Sequence, residues 1–319
     1  MKVLGITCGR KNSNTEILVK EALMGAEEAG AEVEIVRLLD LNIKPCTGCN
    51  ACVENLFEKG GSGDCIIKKD DFKFIDEKIL EADGIVLGSP IYEASIHGYL
   101  KVLLDRMGPS HDMAFRMIAK NIRKEKGITD NNGPDERSFK YRTISLFAVG
   151  GSDWVSMALP MLRFFALPMQ MSVVDAKLFN WIGLPAVVTL KEDMLQRARE
   201  SGRHVAKSIN VPVEEREYIG DTGMCPICFN DVLVVSKDPS KVECAVCKVK
   251  GELKREERYL RFEVDEKEKE NSAMRLSGKF KHAEDLKNYS LNPEPNMDEV
   301  PKRREKYRQY LTYSRPSKE

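Results

Sequence analysis

From residue 2 to about residue 210, short apolar runs alternate with segments whose apolar positions recur at helical spacing. Runs of aliphatic and β-branched residues predict strands over 3–7, 32–38, 84–88, 143–149 and 172–179. Between them, Phe72, Ile75, Ile79 and Leu80 share one face of a helix predicted over 71–81. Leu195, Ala198, Val205, Ala206 and Ile209 share a face of another over 191–210, with Thr189 and Glu192 at capping-box spacing before it. Strict alternation of strand and helix predicts an α/β fold, a doubly wound five-stranded parallel sheet wrapped by helices. Such a sheet binds its ligand at the carboxyl ends of the strands.

The rhythm breaks at 107–142, where Asp130-Asn131-Asn132-Gly133-Pro134-Asp135 belongs to a stretch too long for a plain connection. An insertion of this kind reads as a lid or binding loop, or as a surface elaboration or oligomer contact. A boundary falls near Val211-Pro212, giving a first domain over 1–212. Residues 221–262 carry paired cysteines between short β-like runs at 232–235 and 259–264, and 263–319 form a charged extension. Its mixed charge, as at 265–270 and 302–306, suits a solvated helix face or a flexible tail. Tyr307, Tyr310, Leu311 and Tyr313 offer the alternative of a terminal helix docked on a neighbouring subunit.

Fifty basic and fifty acidic residues cancel, so no net charge draws the chain to nucleic acid or acidic membranes. No apolar run reaches the length of a membrane span, and the first residues read as a strand rather than a secretory signal. Both features lead us to expect a cytoplasmic protein, a setting where cysteines serve as metal ligands or redox groups more often than in disulfides. The nine cysteines are grouped: Cys46, Cys49, Cys52 and Cys65 in one stretch, Cys225, Cys228, Cys244 and Cys247 in two Cys-x-x-Cys pairs, and Cys8 alone after the first strand. Two four-ligand groups suggest two metal sites.

The first strand leads into Thr7-Cys8-Gly9-Arg10-Lys11-Asn12-Ser13-Asn14-Thr15-Glu16, where Ser13 and Glu16 form a capping box. A helix N-terminus in a loop rich in hydroxyls and amides can receive a phosphate, or the loop can simply cap its helix. At the end of the third strand stands Gly88-Ser89-Pro90-Ile91-Tyr92-Glu93-Ala94-Ser95-Ile96-His97-Gly98. Together the two segments resemble the NADPH-dependent FMN reductase family of flavodoxin-like proteins, over about the first 200 residues. The resemblance implies that Cys8, Arg10, Ser13, Asn14 and Thr15 hold the phosphate of FMN. It also implies that Pro90, Ile91, Tyr92 and Ser95 line the flavin ring, approached by a third loop, Gly150-Gly151-Ser152-Asp153. Cys8 stands where the family has serine; a thiol is the poorer donor, so the backbone must carry more of the contact. Asp105 and Arg106 read as structural.

Cys46-Thr-Gly-Cys49-Asn-Ala-Cys52, completed by Cys65, has the spacing of a 4Fe–4S motif, although zinc can be held by four thiolates and a row of free thiols is also possible. The row resembles that of the iron–sulfur flavoproteins, a branch of the same family, but with a longer final gap before Cys65. Cys225-x-x-Cys228, fifteen residues, then Cys244-x-x-Cys247 looks like a zinc ribbon, with a rubredoxin-like single iron as the alternative.

These features predict an FMN- and 4Fe–4S-dependent oxidoreductase that passes electrons from ferredoxin or NAD(P)H to a small organic substrate. The alternative is a flavoprotein that relays electrons between carriers without an organic substrate. A non-enzymatic partner-binding role is disfavoured, because the ribbon lacks a basic face with interleaved aromatics. No acid–base constellation stands out among the four histidines; His97 and His111 flank the expected flavin edge. The family resemblance also implies a homodimer or homotetramer.

Overall fold

The computed structural model describes residues 1–235, 241–256, 259–291 and 296–308. By internal contact the chain forms two compact units, Met1–Phe280 and Lys281–Glu319.

The first unit opens with β1 (Lys2–Thr7), α1 (Asn14–Glu28), β2 (Glu32–Arg37), α2 (Ala51–Lys59), α3 (Phe72–Glu81), β3 (Gly84–Tyr92) and β4 (Ser95–Ile96). It continues with α4 (Gly98–Met107), α5 (Met113–Glu125), β5 (Thr143–Val149), α6 (Ala158–Ala166), β6 (Ser172–Phe179) and α7 (Glu192–Ser208). Five strands lie parallel in the order β2-β1-β3-β5-β6, as the alternating pattern predicts. The strand order reverses between β1 and β3, which opens a crevice at their carboxyl ends.

Alternate side chains serve opposite faces of the sheet. Leu4, Ile6, Ile85, Leu87, Ile144 and Leu146 pack with Ile75 of α3, Leu103 of α4 and Leu162 of α6. On the other face Val3, Val86 and Phe147 pack with Leu18 and Val19 of α1 and Val205 of α7. Each fully buried aliphatic side chain contributes on the order of 1.5–3 kcal/mol. Burial on both faces explains why these strands read as nearly continuous apolar runs.

Three local expectations are revised. Leu38 opens a 3-10 turn, Leu38–Asp40, instead of ending β2. β3 runs on through Pro90 to Tyr92 and folds back on β4, pairing Ile91 with Ile96 and Tyr92 with Ser95. Thr189 does not cap α7: its hydroxyl donates to the carbonyl of Ala186, and Lys191 holds the cap position without a side-chain bond.

The 107–142 insertion is largely ordered into helix. A 3-10 turn at Pro109–His111 leads to α5, capped by Asp112, whose carboxylate accepts from the amides of Ala114 and Phe115. Phe115 packs on Phe57 of α2 with ring centroids 4.9 Å apart, and Arg137 pairs with Glu77 of α3.

Beyond α7 an antiparallel sheet of order β10-β9-β8-β7 forms from β7 (Leu233–Val235), β8 (Val242–Cys244), β9 (Lys250–Arg255) and β10 (Leu260–Glu263). α8 (Glu266–Lys269) follows. Tyr218 stacks on Phe229 at 4.0 Å, which fixes this module against the rest of the unit. α9 (Leu276–Leu291) reaches into the second unit, which also holds α10 (Val300–Arg308). Tyr310, Leu311 and Tyr313 lie outside the described residues. No described helix is long and apolar enough to cross a membrane.

Candidate active site and metal centres

The loop after β1 packs tightly under α1. Ser13 caps the helix, its hydroxyl accepting from the amide of Glu16 at 3.3 Å. The Glu16 carboxylate accepts from the amide of Asn12 at 3.2 Å, one residue earlier than a regular capping box. Two residues expected to face a phosphate are engaged elsewhere. The amide of Cys8 donates to the carbonyl of Gly88 at 3.0 Å, and its thiol is fully buried in the core. That burial pushes the thiol far above its ordinary range and keeps it protonated. Asn14 spends its whole side chain on the loop after β6. Its Nδ2 donates to the carbonyls of Ile182 and Leu184, at 2.6 and 2.8 Å, and its Oδ1 accepts from the amide of Val188 at 3.0 Å. What remains for an anion is the first-turn backbone of α1, at Asn14 and Thr15, together with the exposed Arg10 and the half-buried Ser13. First-turn amides have no intrahelical acceptor and stand at the positive end of the helix dipole.

The β3–β4 turn is made by Glu93 and Ala94, both left-handed, with φ of 48° and 60°. A two-residue turn with both φ positive is the type I′ hairpin, normally built from asparagine and glycine. Holding it with glutamate and alanine stores strain at the carboxyl edge. The turn leaves Tyr92 59% exposed, edge-on to His97 with centroids 5.4 Å apart. The Nδ1 of His97 accepts from the amide of Tyr99 and so caps α4. Burial lowers the His97 pKa, consistent with a neutral, structural ring.

The loops after β5 and β6 close on each other. Gly150 donates its amide to Phe179 and accepts from Ile182, and a Cβ on Gly151 would stand 2.8 Å from the Cα of Gly183. Only glycine permits that approach. A Cβ on Gly150 would meet Asn180 Oδ1 at 3.0 Å and Ile91 Cδ1 at 3.1 Å, so Ile91, Gly150 and Asn180 converge. The Oδ1 of Asn180 is buried without a hydrogen-bond partner among the described residues. The amide of Met157 donates to the carbonyl of Ala94 at 3.0 Å and joins the third loop to the hairpin turn. Trp154 and Trp181 follow the ends of β5 and β6 and stand 71% and 70% exposed. Sequence reasoning passed over both; the available signal was that the only two tryptophans each lie just past a predicted strand.

Cys46 and Cys49 are exposed in irregular backbone, Cys52 lies in the first turn of α2, and Cys65 is half-buried. The Gly48 amide donates to Cys46 Sγ at 3.4 Å. Burial raises the Cys52 thiol, opposed by the nearby amides of Val53 and Cys52 itself, and Cys65 and Cys46 raise it further through space. Among the described residues these four sulfurs do not form a compact ligand group, and the amide of Gly48 is the one hydrogen-bonded to a sulfur of the row. A cubane spreads its thiolates over four irons and holds them farther apart than a single ion does, and amide-to-sulfur bonds tune such clusters.

The second group is compact. The ligand atoms of Cys225, Cys228, Cys244 and Cys247 all lie within 4.8 Å of one another, and all four residues are buried. Cys225 and Cys247 approach to 3.6 Å, Cys228 and Cys244 to 3.5 Å. The two knuckles repeat one geometry. The amide of Phe229 returns to the carbonyl of Cys225 and that of Lys248 to Cys244, each from a left-handed residue. Hydrogen bonding within the group splits its thiols, lowering Cys225 and Cys244 and raising Cys228 and Cys247. Four buried thiols in this arrangement could serve as the donor set of a tetrahedral metal ion.

The model of the family "NADPH-dependent FMN reductase" matches residues 1–181. The chain belongs to this family. A flavone synthase of Aspergillus candidus is 33% identical over 298 residues, 90% of this chain and 88% of the relative. An iron–sulfur flavoprotein of Methanocaldococcus jannaschii is 44% identical over 110 residues, 34% of this chain and 53% of the relative. Among solved structures, a flavone reductase superposes with a TM-score of 0.84 at 32% identity, covering 99% of this chain and 100% of the other. The protein is therefore a flavin-dependent oxidoreductase of flavodoxin-like fold, in a family whose cofactor is FMN, with a separate cluster of four buried cysteines. The carboxyl edge fits FMN: the α1 first turn suits its phosphate, and the orphaned Asn180 Oδ1 offers an acceptor beside the glycine loop where a polar ring edge can lie.

Proposed function

We propose that the protein moves two electrons between NAD(P)H and the carbon–carbon bond of a flat, conjugated molecule of the flavone class. One observation carries this reading. The likeness to the flavone reductase and flavone synthase extends through the C-terminal module, whereas the likeness to the iron–sulfur flavoprotein covers about a third of the chain. Bound FMN would supply the two-electron chemistry, taking electrons from the nicotinamide and returning them to the substrate. Arg10, Ser13, Thr15 and the first-turn amides of α1 hold the phosphate in this reading, while Pro90, Ile91, Tyr92, Ser95 and the 150–153 loop border the ring. Tyr92, Trp154 and Trp181 present flat apolar faces over that border and exclude water from a stacked substrate.

The test is anaerobic. NADPH or NADH should bleach the flavin of the purified protein, and a flavone should restore it with formation of the two-hydrogen-reduced product, or a flavanone should be desaturated in the reverse direction. Reoxidation by ferredoxin alone, with every flavone and flavanone inert, would leave the electron relay as the better reading.

For the cysteine row we propose a 4Fe–4S cluster on Cys46, Cys49, Cys52 and Cys65, supported by the motif spacing, the Gly48 amide on Cys46 and the iron–sulfur relatives. Such a centre admits ferredoxin as donor. For Cys225, Cys228, Cys244 and Cys247 we propose structural zinc, supported by complete burial in a module with a small apolar core. Metal analysis of anaerobically purified protein should give about four iron per chain and one zinc. Iron near zero rejects the cluster, and a fifth iron in place of zinc selects the rubredoxin-like alternative. A homodimer or homotetramer, implied by the family resemblance, is checked by light scattering.

A further inference from the structure

A polar cleft of about 880 Å³ lies on the flank of α3, away from the three loops described above. Its walls are the 62–68 segment, α3, the start of α5 and the 130–136 loop. The volume suits a small organic molecule.

Two cations of its lining, Arg116 and the exposed Lys73, have no ion pair among the described residues. Its carboxylates have partners: Asp64 is paired with Lys68, Asp70 with Arg106, Asp130 with Arg123, Glu136 with Lys120, and Asp135 and Glu77 share Arg137. Asp76 accepts from His111 Nε2 at 2.6 Å. Arg116 is different. It is 4% exposed, lines the cleft, and among the described residues has no carboxylate within ion-pair reach. Its Nε donates to the carbonyl of Ser110 at 2.7 Å, which fixes the guanidinium plane. Its Nη1 is buried with no hydrogen-bond partner among the described residues. Burial lowers the Arg116 pKa, with Asp76 as the largest through-space opposition. A buried, unpaired guanidinium carries a large desolvation cost that a bound oxyanion would offset.

We propose that this cleft binds a small organic anion whose carboxylate or phosphate group engages Arg116. Arg116 supplies the charge and a fixed donor geometry. The exposed Lys73 at the rim adds attraction, and the carboxylates and amides of the 130–136 loop face the polar remainder of the ligand. The 62–68 segment contains Cys65, so an occupant of the cleft would touch the chain that completes the cysteine row.

The experiment uses FMN-loaded protein, so that the phosphate loop of the flavin site is already filled. Inorganic phosphate and, separately, acetate are titrated by calorimetry at constant ionic strength. Saturable binding of at least one is expected, with phosphate or acetate preference naming the class of the group. Arg116→Met should weaken that binding at least about tenfold, the loss of one charge-assisted contact. If that variant does not fold, Lys73→Glu, at an exposed position, should weaken binding about threefold by like-charge repulsion. Hydrogen exchange should slow in 62–68 and 130–136 when the anion is added. No saturable heat, equal affinity in the folded variants, or protection confined to other segments would overturn the proposal.

Discussion

Arg163 Nε, on α6, donates to the backbone carbonyl of Cys228 across 2.7 Å. The same guanidinium reaches the carbonyl of Phe229 at 2.9 Å and the hydroxyl of Tyr218 at 3.2 Å. One cation therefore ties the flavodoxin-like core to the first metal knuckle. Its Nη1 is buried without a partner among the described residues, which discounts what the bonds contribute. Arg163→Met should lower unfolding free energy by about 2–4 kcal/mol in thermal or denaturant melts. Metal content should remain at one equivalent, because no cysteine is altered.

Metal removal should act on the module and leave the sheet folded. Among the described residues the core around Cys225, Cys228, Cys244 and Cys247 adds only Val242, Val246, Val249 and Phe262 as further buried apolar side chains. That is too little to order these strands without a staple. Cys244→Ser, or a strong chelator, should release the metal and abolish exchange protection in β8 and β9. Flavin absorbance and the protection of β1, β3 and β5 should persist.

The hairpin turn at Glu93 and Ala94 should be improvable. Replacing both by the residues a type I′ turn favours, Glu93→Asn with Ala94→Gly, relieves two left-handed strains. A gain of roughly 0.5–2 kcal/mol in stability is expected, read from the melt. Turnover should fall if the strained turn orders Tyr92 over the flavin, and KM for the organic acceptor is the parameter to follow.

Asp70 and Arg106 form an ion pair with both side chains essentially inaccessible. Arg106 also donates to the carbonyl of Lys44 at 2.8 Å, so it gathers the chain on both sides of the cysteine row. Removing the cation would strand a buried carboxylate. Arg106→Met should cost about 3–5 kcal/mol, and Arg106→Met with Asp70→Leu should recover part of it.

The acid limb of stability follows from the same groups. Burial opposes ionisation of Asp70 and Asp76, but Arg106 and His111 respectively outweigh it and hold both carboxyls below the usual range. Bonds to Arg137 do the same for Asp135. In the window between the depressed folded values and an unfolded value near about 3.9 the unfolded chain binds more protons. Stability is therefore full above about pH 4 and falls as pH drops through the folded pKa values. Melting temperature from pH 6 to pH 2 should show the decline, and Arg106→Met should remove the part that belongs to Asp70.

The parallel sheet was legible because strands buried on both faces must be apolar throughout, and Val3, Ile85 and Leu146 carry that signal locally. Ser13 announced the start of α1 for the same local reason. Thr189 misled, because the capping pattern concerns side chain and spacing, whereas the turn at Ala186 took its hydroxyl. Cys8 and Asn14 sit in the phosphate loop by sequence, yet the partners that occupy them, Gly88 and the 182–188 loop, are far along the chain.

The sequence by itself determined the elements, the family motifs and the grouping of the cysteines, since periodicity and spacing are properties of neighbouring residues. Only the tertiary structure decided which donors remain available for a phosphate and brought the two tryptophan-bearing loops together through Gly151 and Gly183. It also left Arg116 without an ion-pair partner among the described residues. Those outcomes depend on burial and on contacts across the fold, where each hydrogen-bonding group can be spent once, and no local pattern records which partner it meets.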